Sequence, residues 1–402
     1  MRRLGGNMLK GNAIIGQSGG PTSVINASLC GVVQAAQAAT EIQTVFGMKG
    51  AIEGLMSDDL LDFGTIASDV IEELRHTPGS ALGSCRHKVQ EADFPTILAQ
   101  LEKHNIRYFF LIGGDDTMNT IHQVEAKCRE VGYELRGVGV PKTVDNDLRG
   151  TDHTPGFPSA ARYVALSVQQ AGTLARDMKR VDQFVVHQTV GRSAGWLPAA
   201  AALAKKTPDD APHILLMPER AFDAETFLAK VKACYDQYGW CSIVVGEGVC
   251  DKDGKPVSAS TVADKFGNTE MGAMAGASIA MELHKMIRNR FGWRGEFQVC
   301  ESLPMCAADR AVATDVEEAY ACGKRAVELA LAGTSGVMVT IVRDSNSPYQ
   351  TSLGTIPLCD VSGKQKPMPD DFITNDGFGV TEKALEYLRP IIGPMPELSR
   401  LY

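Results

Sequence analysis

The chain has 402 residues, 44% of them hydrophobic and 22% charged, the balance of an ordinary soluble globular protein. That length suits two domains or one large two-lobed body. The net charge of −8 argues against bulk affinity for nucleic acid or a membrane surface, yet leaves room for a local basic pocket.

Ten cysteines are scattered without a Cys-x-x-Cys pair, so the expected state is reduced thiols in a cytoplasmic protein with no structural zinc. Residues 1–10 lack the apolar core of a signal peptide. No run approaches the ~18 apolar residues of a membrane span. Aromatics are few and not interleaved with basic residues, which leaves an RNA-reading surface without support.

In chain order, short apolar runs alternate with amphipathic stretches. Ala13, Ile14 and Ile15 predict a short strand that enters a Gly/Ser turn, and Val24, Leu29, Val32 and Val33 mark a helix behind it. Residues 108–112 predict a buried strand running into Gly113, Gly114, Asp115, Asp116 and Thr117. A third run at 137–140 leads into Pro141, Lys142, Thr143, Val144, Asp145, Asn146 and Asp147. Further strands are expected at 184–186, 214–217, 242–245 and 337–342, with helical patterns between them, as from Asp315 to Leu331. Residues 251–256 and 362–370 read as exposed loops. Such alternation predicts α/β architecture, with parallel sheets covered on both faces.

Segment 141–147 is the most informative. Asp145 and Asp147 stand two apart, and in an extended segment such residues point the same way. Both carboxylates would then face one cleft at the carboxyl end of a strand, where open α/β sheets place their ligands. With Lys142 beside them, the site could take a proton and handle anionic groups. Gly113 and Gly114 would let backbone N–H groups approach a phosphate, and Asp115 beside a phosphate implies an intervening Mg²⁺. A plain Gly-Asp turn accounts for that motif equally well. The turn from Ser18 to Thr22 opens a helix, and helix N-termini bind anions, although such turns are common. Arg86 and Arg192 follow glycine-bearing turns and could grip phosphate with their forked donors; surface ion pairs are the bland alternative. Glu247, between Gly246 and Gly248, could accept from sugar hydroxyls or stand in solvent. His187 reads as a packed, hydrogen-bonded core histidine. No Walker A loop, Gly-x-Gly-x-x-Gly or His-Glu-x-x-His motif occurs.

Taken in order, the segments at 18–22, 83–86, 113–117, 141–147, 154–157, 191–195, Glu247 and 314–319 resemble the phosphofructokinase family over nearly the whole chain. Asp116 and Lys142 stand where ATP-using members carry glycine, and the resemblance is therefore to the pyrophosphate-dependent branch. Two side chains there would fill the space an ATP α-phosphate and nucleoside need. The resemblance implies two lobes, each a mostly parallel sheet between helices, with the active site in the cleft between them. Residues 1–157 with about 305–350 would form the donor lobe, and 158–304 with about 351–402 the sugar-phosphate lobe. It implies reversible phosphoryl transfer from pyrophosphate to the C1 hydroxyl of fructose 6-phosphate, with Mg²⁺ held by Asp115. Asp145 would be the general base, oriented by Asp147; Gly20, Arg86, Asp116 and Lys142 would meet the donor. Lys142 and Arg192 would neutralise the transferring group, while Thr143, Val190, Gly191 and Glu247 line the sugar site. A homodimer or homotetramer is implied, because in the family a second subunit completes that site.

The chain departs from the family on the acceptor side. The family's Gln-Arg pair, whose Arg grips the sugar 6-phosphate, falls on Pro304 and Met305, and the basic residue lent by the neighbouring subunit falls on Gln183. Arg288, Arg290, Arg294 and Arg310 lie near in sequence and are candidate substitutes. Two other readings follow: a pyrophosphate-dependent kinase of a different sugar or polyol, or a non-catalytic regulatory paralogue.

Overall fold

The computed structural model describes residues 9–258 and 276–400. Most of the N-terminal stretch weighed as a signal peptide, and 259–275 within the expected sugar lobe, lie outside the described residues.

Among the described residues eleven strands form two sheets: β1 (Gly11–Gln17), β2 (Ile42–Met48), β3 (Leu60–Asp62), β4 (Ile106–Gly113), β5 (Arg136–Pro141), β6 (Phe184–Thr189), β7 (Ile214–Leu216), β8 (Cys241–Gly246), β9 (Gly295–Val299), β10 (Val337–Asn346) and β11 (Tyr349–Pro357). The larger sheet has the order β11-β10-β5-β4-β1-β2-β3. Its five inner strands are parallel, and β3 and β11 are antiparallel edges. The smaller sheet, β7-β8-β6-β9, is wholly parallel.

The alternation of side chains along β4 explains why its sequence is apolar throughout. Tyr108, Phe110 and Ile112 face the layer holding helices Ile25–Gln37 and Ala313–Leu331, and Phe109 and Leu111 face the layer of Phe94–Lys103 and Asp115–Glu130. A strand buried on both faces cannot show polar alternation. The first two helices cross through glycines: a Cβ on Gly31 would come within 2.1 Å of the Tyr320 carbonyl oxygen, and one on Gly323 within 2.1 Å of that of Ser28. The smaller sheet sends Phe184, Val186, Ile243 and Val245 to one face; Val185, Leu215 and Val244 meet helices Phe157–Asp177 and Glu382–Ile392 on the other.

Every strand expected from the sequence is present. Four more had weaker signals. In β9 Glu296 and Phe297 are exposed, and β11 alternates between half-buried and exposed residues, as edge strands do. The β10–β11 hairpin keeps residues 349–357 in the larger sheet. The 362–370 loop is not simply exposed: Met368 is buried and the Lys366 ammonium is bonded inside the protein.

Candidate active site

β1, β4 and β5 are neighbours in the larger sheet and run in the same direction. The turns after them therefore converge at one edge, bringing Gly19 and Gly20, Asp115 and Asp116, and the segment from Lys142 to Asp147 together. Lys142 is buried, and its Nζ donates to the Gly20 carbonyl oxygen at 2.7 Å. Burial pushes its pKa down to about 8, against the pull of Asp145 and Asp147. Arg86 is exposed next to Cys85, whose carbonyl oxygen accepts from the Gly19 N–H at 3.1 Å, and its charge reaches Lys142.

Asp145 and Asp147 do come together, but not as an extended pair. β5 ends at Pro141, and Asn146 between them has a left-handed φ of +55°. Val144, buried in the core of the smaller lobe, anchors the turn. The Asp145 N–H donates to Thr143 Oγ1 at 3.1 Å, and the Thr143 carbonyl oxygen accepts from Thr154 Oγ1 at 2.8 Å. Asp145 Oδ1 is buried without a hydrogen-bond partner among the described residues. Burial, then the charges of Asp147 and Glu247, push its carboxyl up to about 7, with Arg192 and Lys142 opposing. Asp147 is also raised, chiefly by burial. An unsatisfied carboxylate oxygen with a pKa near neutrality is what a general base requires.

Asp115 opens the helix Asp115–Glu130, and its Oδ1 accepts from the Gly363 N–H at 2.7 Å. Its carboxyl is raised by burial and by Asp116 and Asp147. This concentration of negative charge fits a hard divalent cation, which binds through one or two carboxylates and completes its shell with phosphate oxygens. Asp116 is exposed and pairs with Lys88 at 3.5 Å. A different cluster, His213, Cys234 and Cys241, brings possible metal-ligating atoms within 4.8 Å. There His213 Nδ1 accepts from the Ser242 N–H at 2.9 Å, so the neutral ring carries its proton on Nε2. A metal-binding histidine instead donates its second N–H outward, and zinc is not supported.

The smaller sheet supplies the facing wall. Val190, Gly191 and Arg192 follow β6, and Glu247 follows β8, the adjacent strand. The Gly191 N–H donates to Glu247 Oε1 at 3.3 Å. A Cβ on Gly248 would lie 1.7 Å from the Arg192 carbonyl oxygen, so only glycine fits there. Burial and Glu301 raise the Glu247 carboxyl to about 7. Arg192 is exposed, yet its charge acts on Asp145, Asp147 and Glu247 alike, which places it over the cleft. His187 is buried, but both ring nitrogens are without partners among the described residues, contrary to the hydrogen-bonded expectation.

A phosphofructokinase model matches residues 12–330. The chain belongs to the phosphofructokinase family. It is 41% identical over 388 residues to a pyrophosphate–fructose 6-phosphate 1-phosphotransferase of Methylococcus capsulatus, covering 95% of this chain and 91% of that protein. It is 32% identical over 360 residues to a sulfofructose kinase of Alkalicoccus urumqiensis, covering 89% and 91%. Among solved structures, a pyrophosphate-dependent phosphofructokinase from Nitrosospira multiformis superposes with a TM-score of 0.87 at 38% identity, covering 97% of this chain and 94% of that one. The two-lobed α/β fold expected from the sequence is thus the phosphofructokinase fold.

At the position where the family's Arg is expected, this chain carries an apolar side chain packed against the core. Met305 ends a short 3₁₀ turn, and a Cβ on Gly20 would lie 3.7 Å from its Sδ. Gln183 is held by its neighbours: Oε1 accepts from the Arg294 N–H at 3.0 Å and Nε2 donates to the Val181 carbonyl oxygen at 3.1 Å. Of the candidate substitutes, Arg290 pairs with Glu225, Arg294 pairs with Asp182 at 2.9 Å, and Arg310 donates to Ser167 Oγ at 3.1 Å and stacks on Tyr163.

Sequence reasoning missed a buried network beneath the site. His153 lies between Asp152 and Glu318, 2.8 Å from each. Asp315 accepts from the Gly156 and Ser159 N–H groups and from Ser159 Oγ, fixing the start of helix Phe157–Asp177. The only sequence signal was that Asp315 and Glu318 fall within one of the family's segments.

Proposed function

We propose that the chain transfers a phosphoryl group reversibly from pyrophosphate to the C1 hydroxyl of fructose 6-phosphate. The observation that carries this reading is the buried Lys142 ammonium at the Gly20 carbonyl, within reach of the Asp145 and Asp147 charges. Asp145 takes the hydroxyl proton as the C1 oxygen bonds to phosphorus, the bridging P–O bond breaks, and inorganic phosphate leaves. Asp147 orients that base. Lys142 and Arg192 offset the charge spread over the transferring oxygens, the main demand of phosphoryl transfer. Gly20, Arg86 and Asp116 border the donor, while Thr143, Val190, Gly191 and Glu247 border the sugar. Mg²⁺ at Asp115 would neutralise pyrophosphate charge when bound. In the same reading the larger sheet carries the donor lobe and the smaller one the sugar lobe, and a homodimer or homotetramer completes the acceptor site. In the same reading the chain acts in the cytoplasm. No described helix is long and apolar enough to cross a membrane.

A second reading, a pyrophosphate-dependent kinase of another sugar or polyol, is favoured by Met305 and by the engaged Gln183. Losing one arginine–phosphate contact costs ~1.5–3 kcal/mol. A panel of acceptors with pyrophosphate and Mg²⁺ decides between them: fructose 6-phosphate ranks first under the primary reading, and any other acceptor with a higher kcat/KM displaces it. Retention of Asp115, Lys142, Asp145 and Asp147 argues against a regulatory paralogue, which turnover by the chain alone would eliminate.

A further inference from the structure

We infer that Lys366, from the segment between the last strand and the last helix, is a positioning residue for the turn that carries Asp145 and Asp147. Its three ammonium donors meet three acceptors: Asn146 Oδ1 at 3.0 Å, the Thr151 carbonyl oxygen at 3.2 Å and that of Asp152 at 2.9 Å. Its own backbone N–H donates to the Asp147 carbonyl oxygen at 2.8 Å. Its carbonyl oxygen accepts from Trp196 Nε1 at 3.2 Å, which fixes the strap to the smaller lobe. One residue therefore holds the turn both by side chain, at Asn146, and by backbone, at Asp147.

The other face of the Asn146 amide is held as well. Its Nδ2 donates to the Tyr387 hydroxyl at 3.1 Å, and that hydroxyl donates to the Asp152 carbonyl oxygen at 2.7 Å. A left-handed non-glycine residue persists only where its surroundings determine it, and here Lys366 and Tyr387 do so. A lysine that merely anchored the C-terminal segment would have no reason to direct its ammonium to the residue between the two acids. Loosening this grip would misplace Asp145 without removing any group that binds pyrophosphate, and displacements of about 1 Å can cost ~10²-fold in rate.

This inference rests on the phosphotransferase reading, and the test separates the two. Full-length wild type, Asp145→Ala, Lys366→Met, Asn146→Gly and the Lys366→Met/Asn146→Gly double variant are assayed with pyrophosphate, Mg²⁺ and the wild type's best acceptor. Glycine keeps the left-handed backbone while removing the amide. The expected result is a kcat loss of roughly 20- to 100-fold in Lys366→Met and in Asn146→Gly, with KM for pyrophosphate within about twofold. The double variant should lose little more than the worse single one, since the Lys366–Asn146 contact is lost in both. Unchanged kcat with only a lower unfolding temperature, or losses that multiply, would overturn the inference while leaving the activity reading intact. No wild-type turnover with any acceptor would take down both. If Lys366→Met does not fold, Asn146→Gly and Tyr387→Phe with their double variant carry the same test.

Discussion

The Lys142 ammonium and the Gly20 carbonyl oxygen, 2.7 Å apart, join the ends of β5 and β1 across β4. A buried charge in that place closes the space and offers an anion partner at the same time. Lys142→Gly should lower kcat/KM for pyrophosphate by about 10- to 150-fold, the equivalent of a charge-assisted hydrogen bond. Steady-state kinetics with pyrophosphate and with ATP check this, and preference for pyrophosphate over ATP should narrow in the same variant.

The pH profile follows from two opposed shifts. In the proposed reaction Asp145 must be ionised to accept the hydroxyl proton, and burial pushes its carboxyl up to about 7; Lys142 must be charged, and burial pushes its ammonium down to about 8. The forward kcat/KM should therefore be a narrow bell, rising through about 7 and falling above about 8. Asp145→Ala should lose roughly 10²–10⁴-fold. A raised carboxyl favours the folded state below its unfolded value of 3.8, and that contribution fades as pH rises through the folded value. Asp145→Asn should accordingly melt higher than wild type at pH 8 while being inactive, which differential scanning calorimetry can read.

The His153 network titrates with both signs. Hydrogen bonds donated to Asp152 and Glu318 raise His153 above 6.5 in spite of burial, so its stabilisation is complete below 6.5 and fades as pH rises through the folded value. Asp152 and Glu318 are lowered below 3.8 and 4.5 by their hydrogen bonds, so their stabilisation is complete above those values and fades as pH falls through the folded ones. Glu318→Ala strips one partner each from His153, Tyr349 and Thr351. It should cost about 3–5 kcal/mol, measured by urea unfolding at pH 6, and the wild-type advantage should shrink towards pH 9.

Removal of divalent cations should abolish turnover reversibly. Asp115→Asn, which retains a side-chain oxygen for the Gly363 N–H, should raise the Mg²⁺ concentration for half-maximal activity at least tenfold. A magnesium titration of both proteins checks it.

Much of the site was legible because it lies at strand ends within short segments. Asp115 after β4 and Lys142 to Asp147 after β5 are local patterns, and the sheet order brings them together. The reason given for the Asp145/Asp147 pair was nonetheless wrong in detail, since a left-handed Asn146, not an extended strand, sets it. Lys366 was hidden in a stretch whose Lys, Pro and Asp content reads as solvent-exposed. Its partner Asn146 lies 220 residues away, a separation that no local period encodes. The weak strands β9 and β11 were missed for the opposite reason, because edge position leaves them half polar.

The most direct measurement is a coupled assay of the purified chain with Mg²⁺ and fructose 6-phosphate, comparing pyrophosphate with ATP and using Asp145→Ala as the control. Turnover with pyrophosphate should far exceed that with ATP and should fall by at least ~10²-fold in the variant. ATP turnover exceeding that with pyrophosphate, or pyrophosphate turnover in Asp145→Ala within about tenfold of wild type, would contradict the proposed reaction.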